Sequence, residues 1–331
     1  MRTIGDTKIY HWDEVQDSFK GADIFLGNGF SININSALNY KSLFGKFLTY
    51  LSPCERRIFE RFDSTNFEGI QNLLTNAFYV NKLFEYDTSG FENSLCVLKS
   101  GLLEAIKDLH PKFTQIDPKT LLQLSFRLDW FEDIYTTNYD VFLYHIVLIT
   151  LDRRRRDNKI KAYQDFFRND NSELVFSENP LPFFKNIYYL HGALFLHKRD
   201  GQIVKVKRGS KTNELLELIR LRIHLGNVPI FVSEGKSKLK EDTISRSPYL
   251  TFCSSAFKAS RNQLVIHGFS FSDCDEHLAN ALNENKRKLA IGLHLSSLND
   301  EQAQRKIKGI EKQLYKYRSG EIKYFDSKTL F

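Results

Sequence analysis

The chain is poor in cysteine and proline. Its four cysteines, Cys54, Cys96, Cys253 and Cys274, are scattered and form no Cys-x-x-Cys pair, which removes a zinc ribbon and a dithiol redox motif. Thiols so few and so far apart argue against a disulfide framework and for a reducing, cytoplasmic home. Seven prolines are too few for long polyproline linkers. No run approaches the roughly 18 apolar residues of a membrane span, and the opening segment MRTIGDTKIYHWDEVQDSFKG has no apolar signal-peptide core. A P-loop is missing too. Gly235-Lys236-Ser237 has the right ending, but Ile230 stands where the motif needs its first glycine.

What is present suits a folded domain or two. Hydrophobic residues make up 42% of the 331 and charged residues 26%, with 28 Phe and 15 Tyr to build a core. The formal charge of +7 is modest and dispersed, apart from the run Arg153, Arg154, Arg155 and Arg156. Such a run can touch nucleic acid or an acidic partner; its plainer reading is a solvated helix end. No nucleic-acid motif accompanies it, so nucleic acid is not expected as a substrate.

Along the chain, residues 23–26 read as a strand entering the glycine turn Gly27-Asn28-Gly29, with Ser31 placed to cap a helix starting near Ile32. Between residues 40 and 130 apolar residues recur at helical spacing, broken by Pro111 and Pro118. Strand and helix patterns then alternate. Strands are expected at 133–137, 186–190, 227–232, 263–267, 289–295 and 321–325, with a hairpin turning at Asp200-Gly201. Helices are expected at 139–151, 248–259, 276–285 and 300–315. This alternation predicts an α/β fold, a Rossmann-like doubly wound and mostly parallel sheet, with a large helical insertion. On this reading residues 1–40 and 130–331 form the core and 41–129 the insertion.

Four glycine or small-residue turns stand at strand ends, where open α/β sheets place their ligand crevice. In Gly27-Asn28-Gly29-Phe30-Ser31 glycine lets a pyrophosphate approach backbone N–H groups, although the fingerprint's third glycine is Ile32; a plain strand–helix turn would look the same. In Thr136-Thr137-Asn138-Tyr139-Asp140 the Asn138 amide can bond a ribose hydroxyl or position a water, and Asp140 can accept from a ribose or cap the next helix; turn forming is the competing role. In Tyr189-Leu190-His191-Gly192 the histidine suits acid–base work near neutral pH. His145, His197, His224 and His277 lack such a setting and read as ordinary. The fourth turn is His267-Gly268-Phe269-Ser270-Phe271-Ser272-Asp273, which alone resembles any β–α loop.

In this order, the segments resemble the sirtuin family. GNGFS at residues 27–31 stands for its glycine-rich turn, TTNYD at 136–140 for its T-x-N-x-D, His191-Gly192 for its catalytic H-G pair, residues 228–234 for its F-G-E strand with Ser233 in place of glycine, and residues 266–270 for its G-T-S strand. Two departures stand out: the family's zinc module of two cysteine pairs has no counterpart, and a long helical segment separates the first two motifs. Both features are similar to the divergent bacterial sirtuin-like proteins of anti-phage defence, which hydrolyse NAD⁺.

The resemblance implies an NAD⁺ nucleosidase that depletes NAD⁺, with Asn138 and His191 catalytic and Asp140 holding the ribose or fixing Asn138. It implies a pyrophosphate cradle of Gly27, Asn28, Gly29 and Ser31, with Phe30 and Thr137 also binding NAD⁺, and an adenosine side lined by Gly268, Ser270 and Asp273. It implies NAD⁺ as substrate, no zinc or other metal, a homo-oligomer, and a HerA-type ATPase or other defence partner. Three other readings remain: a protein deacylase or ADP-ribosyltransferase, for which Glu234 lies near a peptide contact; a non-catalytic NAD⁺ or ADP-ribose sensor; and a nucleic-acid scaffold using the arginine run.

Overall fold

The computed structural model describes residues 2–35, 40–63, 67–110, 115–157, 161–170, 173–207, 215–225, 227, 229–232, 237–296, 298–318 and 321–331. Fourteen strands fall into two sheets among these residues: β1 Arg2–Ile4, β2 Thr7–Tyr10, β3 Asp23–Leu26, β4 Ile134–Thr136, β5 Tyr163–Gln164, β6 Phe167–Asp170, β7 Glu173–Phe176, β8 Lys185–Tyr189, β9 Gly192–Arg199, β10 Gln202–Lys205, β11 Pro229–Phe231, β12 Leu264–His267, β13 Leu289–Leu293 and β14 Ile322–Asp326.

The larger sheet has nine strands in the order β1-β2-β14-β13-β12-β3-β4-β8-β5. From β2 to β5 every pairing is parallel, and only the β1–β2 hairpin is antiparallel. All residues of β3, β12 and β13 are buried. That is why they read as short continuous apolar runs: helices cover both faces of a parallel sheet. The strand order reverses between β3 and β12, because the chain runs outward through β4 to β8 and returns beside β3. The arrangement is mixed α/β and compatible with a Rossmann-like sheet, whose ligand crevice lies at that reversal, beyond the strands' carboxyl ends.

Charge pins the opposite, amino-terminal end. Asp23 opens β3 and pairs with the fully buried Arg287 while accepting Ser260 Oγ (3.1 Å) and Asn262 Nδ2 (2.9 Å). The helices that flank the sheet are α1 Trp12–Val15, α2 Asn28–Ile34, α3 Tyr40–Thr49, α4 Pro53–Arg61, α5 Phe67–Leu83, α6 Ser89–Leu109, α7 Pro118–Leu128, α8 Phe142–Arg156, α9 Leu215–His224, α10 Ser237–Ser245, α11 Pro248–Ala259, α12 Glu276–Asn285 and α13 Asp300–Gln313. Their starts carry the expected chemistry. Ser247 caps α11 with Pro248 in its first turn, and Asn299 with Gln302 forms a capping box on α13. Helices α3–α7 stand between α2 and β4 and share apolar contacts of their own, such as Phe59 against Phe44 and Phe47 with ring centroids 5.6 and 5.4 Å apart.

The second sheet was not foreseen. It is antiparallel, in the order β11-β9-β10-β7-β6. The β9–β10 hairpin turns where expected, with Asp200 and Gly201 both at positive φ (48° and 79°), as a two-residue primed turn requires. Of the strand expected at 227–232, Pro229–Phe231 forms β11, which pairs with β9 in this sheet rather than joining the parallel one.

Helix α2 begins earlier than the sequence suggests. Gly27 is its N-cap, and Ser31 lies inside the helix with its hydroxyl committed elsewhere. The arginine run forms the last turn of α8 and is largely spoken for. Arg153 is buried, 2.6 Å from Asp129 and stacked over Phe126, Arg154 lies over Phe184, and Arg155 pairs with Asp152. Among the described residues no helix is long and apolar enough to cross a membrane.

Candidate functional site

A cavity of about 450 Å³ opens at the reversal point, walled by the loops that follow β3, β4, β8, β11, β12, β13 and β14. The sequence motifs meet here. Asn28 and Gly29, Thr137, Asn138 and Asp140, His191, and Gly268 and Ser270 all line it. Gly27, Phe30, Ser31 and Asp273 do not. Phe30 turns into the core against Phe331, and Asp273 is exposed, accepting Gln313 Nε2 at 2.7 Å. Ser233 and Glu234 lie outside the described residues.

The loop glycines answer first to each other. A Cβ on Gly27 would sit 2.5 Å from the Gly268 carbonyl oxygen, one on Gly29 would sit 2.7 Å from Gly268 Cα, and one on Gly268 would sit 2.5 Å from the Phe30 nitrogen. Gly268 also has φ +72°, where a side chain is strained. The Gly27 and Gly29 N–H groups donate to the carbonyls of His267 and Gly268, each at 2.9 Å. These two amides are therefore spent on joining the β3 and β12 loops.

Behind the cavity wall, α2 and the β4 loop are tied by side chains. Ser31 Oγ donates to Asp140 Oδ2 and accepts Asn138 Nδ2 at 2.9 Å, while Asp140 Oδ1 accepts the Phe142 N–H at 2.9 Å. Asp140 thus fixes Asn138 through Ser31 and also anchors the start of α8. Because the Ser31 proton goes to Asp140, the amide must face Ser31 with its NH₂ group, which leaves the carboxamide oxygen. That oxygen is buried and has no hydrogen-bond partner among the described residues. Thr136 supports the loop, accepting the Asn138 N–H at 3.0 Å and donating to the Leu26 carbonyl at 3.0 Å. Burial pushes the Asp140 carboxyl up, against the pull of its two donors and of His110, whose own pKa burial pushes down.

On the far wall His191 is buried, with its Nε2 3.2 Å from Nε2 of His277 and the two rings stacked. His277 Nδ1 lies 3.1 Å from Ser237 Oγ, and Ser237 Oγ accepts the His277 N–H at 3.0 Å. One imidazole of the pair must carry the shared proton, so the two rings and Ser237 form a chain. Burial, helped by Lys240 and His277, holds His191 well below the usual histidine value; burial with Lys240 brings His277 to about 4. Both rings are therefore neutral at neutral pH. Gly192 is needed beside His191 because a Cβ there would strike the Ile230 carbonyl of β11.

The family profile described as Domain of unknown function (DUF4917) matches residues 24–330. The chain belongs to this family. The match starts inside β3 and runs past β14, so every wall of the cavity lies within the family's domain, and the β1–β2 hairpin, α1 and a 3-10 turn at Gln16–Phe19 precede it. No curated protein matches the chain.

Several cavity residues carried no motif in the sequence. His277, whose own sequence setting is ordinary, does not line the cavity but backs His191. Its setting depends on a partner 86 residues away. Lys240 pairs with Asp275 at 2.6 Å. Lys306, on α13, faces the cavity beside His294 and Ser327; burial lowers its pKa, and no carboxylate pairs with it among the described residues. His191, Asp275 and His277 place ligand atoms within 4.8 Å of one another, a grouping that could hold a metal ion. Lys240 holds Asp275 Oδ1, so an ion there would compete with that charge for the carboxylate. The cavity thus offers an anchored carboxamide with a free oxygen, a neutral imidazole backed by a second one and, among the described residues, a cation without a carboxylate partner.

Proposed function

We propose that the protein is an NAD⁺ nucleosidase, hydrolysing the nicotinamide–ribose bond. The observation that carries this reading is that Asn138 and His191, 53 positions apart in the sequence, line one cavity at the reversal point, with the Asn138 oxygen buried and unanswered. An orphaned buried acceptor costs about 1–3 kcal/mol, which a bound hydroxyl or water offsets. The reaction consumes water and NAD⁺ and yields nicotinamide, ADP-ribose and a proton. Nicotinamide departs neutral from a cationic ring, through a transition state like that of glycoside cleavage. Asn138 orients the ribose or the attacking water, and His191 accepts the proton, a role worth about 10²–10⁴-fold.

Lys306 supports an anionic ligand, and its place beyond β13 suits the adenosine half of a dinucleotide. With the Gly27 and Gly29 amides engaged elsewhere, the pyrophosphate rests on the Asn28 side of the turn and on the β12 loop. We read α3–α7 as an insertion into a Rossmann-like core. The sirtuin resemblance extends the proposal to anti-phage defence by NAD⁺ depletion, in a cytoplasmic homo-oligomer or beside an ATPase partner.

The test is nicotinamide release from NAD⁺ by wild type, Asn138→Ala and His191→Ala, each checked for folding. Release by wild type that vanishes in both variants is the expected result. Full release by Asn138→Ala sinks the assignment, and tight NAD⁺ binding without release marks a sensor instead.

A further inference from the structure

A second cavity, of about 460 Å³, opens between α5–α6, the β9–β11 sheet and the α10–α11 turn. It is separated from the first cavity by β11, and its interior is apolar, formed by Leu102, Leu103, Ile203, Ile230, Phe231 and Leu250. Its polar rim has one sign. Lys99, Lys198 and Arg246 line it, and no acidic side chain does among the described residues. None of the three cations has a carboxylate partner among the described residues, whereas Arg153, Lys205, Lys240 and Arg287 elsewhere are all paired. A volume within about 300–1,000 Å³ that joins an apolar body to a few convergent charges is the usual form of a small-molecule site.

We propose that this cavity binds a small organic anion with an apolar body, its acid group held by Lys99, Lys198 and Arg246. The three cations line one cavity with no counter-charge among the described residues, and an anion supplies it while the apolar part displaces water from the interior. The two cavities share a wall. Ile230 and Phe231 of β11 line the second, while the next residue, Val232, lines the first and donates its N–H to the His191 carbonyl at 2.7 Å. Phe231 also packs against Tyr139 of the first cavity, ring centroids 5.6 Å apart. An occupant of the second cavity therefore presses on the strand that positions His191.

The site needs no assumption about NAD⁺, and its test stands apart from that reading. The probe is anilinonaphthalene sulfonate, an aromatic anion whose emission rises in apolar surroundings, titrated into the full-length protein. One saturable site is expected. Lys198→Glu and Arg246→Glu, both at exposed positions, should each weaken it at least about tenfold with little change in melting temperature. Leu103→Trp should block it by filling the floor, whereas Lys306→Glu in the first cavity should leave it unchanged. Absence of saturable binding, wild-type affinity in both charge reversals, or weakening by Lys306→Glu alone overturns the proposal.

Discussion

Replacing Ser31 by Ala isolates the bond that joins α2 to the β4 loop. Ser31 is fully buried, so water cannot stand in for the lost hydroxyl. The substitution removes a donor to the Asp140 carboxylate, worth about 1.5–3 kcal/mol, and leaves the Asn138 NH₂ group without its acceptor, at about 1–3 kcal/mol. Asp140 keeps the Phe142 N–H at 2.9 Å, so the total falls near the lower part of the sum, roughly 2–4 kcal/mol. With an unfolding entropy of about 2.1 cal/mol/K per residue, a chain of this length loses about 3–6 °C of melting temperature. Thermal and urea unfolding measure this directly. Asp140→Asn supplies the double-mutant cycle: once the charge is gone, Ser31→Ala should cost less, with a coupling energy on the order of 1 kcal/mol or more. Because Asn138 is then no longer held, ligand affinity should drop as well. A Ser31→Ala melting temperature within about 1 °C of wild type, or strict additivity in the cycle, would refute the relay.

Two further outcomes follow from the same geometry. His267 and His277 are both brought to about 4 by burial, while an unfolded histidine titrates near 6.5. Between those values the unfolded chain binds more protons, so this stability is fully present above pH 6.5 and is lost as pH falls toward 4, at about 1.4 kcal/mol per pH unit for each ring. Urea unfolding at pH 7, 6 and 5 should give that slope, and His267→Phe should flatten its share; a level profile across the window contradicts the burial of neutral rings. Gly27→Ala, whose Cβ would meet the Gly268 carbonyl oxygen at 2.5 Å, should destabilise the ligand-free protein by about 1–3 kcal/mol or more. Unchanged unfolding with weakened ligand binding would instead return that glycine to phosphate contact.

The sequence was most legible where structure is local. Residues 23–26, 248–259 and 276–285 have the bounds of β3, α11 and α12, because buried parallel strands and capped amphipathic helices announce themselves within one window. Tertiary bonds were not legible in that way. Ser31 looked like a helix cap, yet its hydroxyl goes to Asp140, 109 positions on, and Gly27 takes the capping place. His277 sits in an ordinary helical pattern, and only the fold brings it to His191. The strands β6 and β7 are short and belong to a sheet assembled from distant pieces, so nothing in their own windows separated them from a loop. Arg153 read as solvent-facing because its partner Asp129 lies across the α7–α8 packing.

The four turns at strand ends do not bear on function equally. Each glycine in the β3 and β12 loops has a sufficient cause in the fold, since the two backbones touch where any side chain would intrude. A protein with no ligand at all would still need Gly27, Gly29 and Gly268. Asn138 is different. Folding alone requires a partner for Ser31, and several side chains meet that need without burying a carboxamide oxygen that nothing answers. Buried polar atoms without partners are rare because water has been given up for nothing. Nine other buried side-chain atoms among the described residues also lack a partner; Asn138 and His267 are the two residues of that set that line the cavity. The case for chemistry in this cavity therefore rests on TTNYD and the His191–His277 pair. GNGFS, the motif most like a nucleotide signature, is explained by packing.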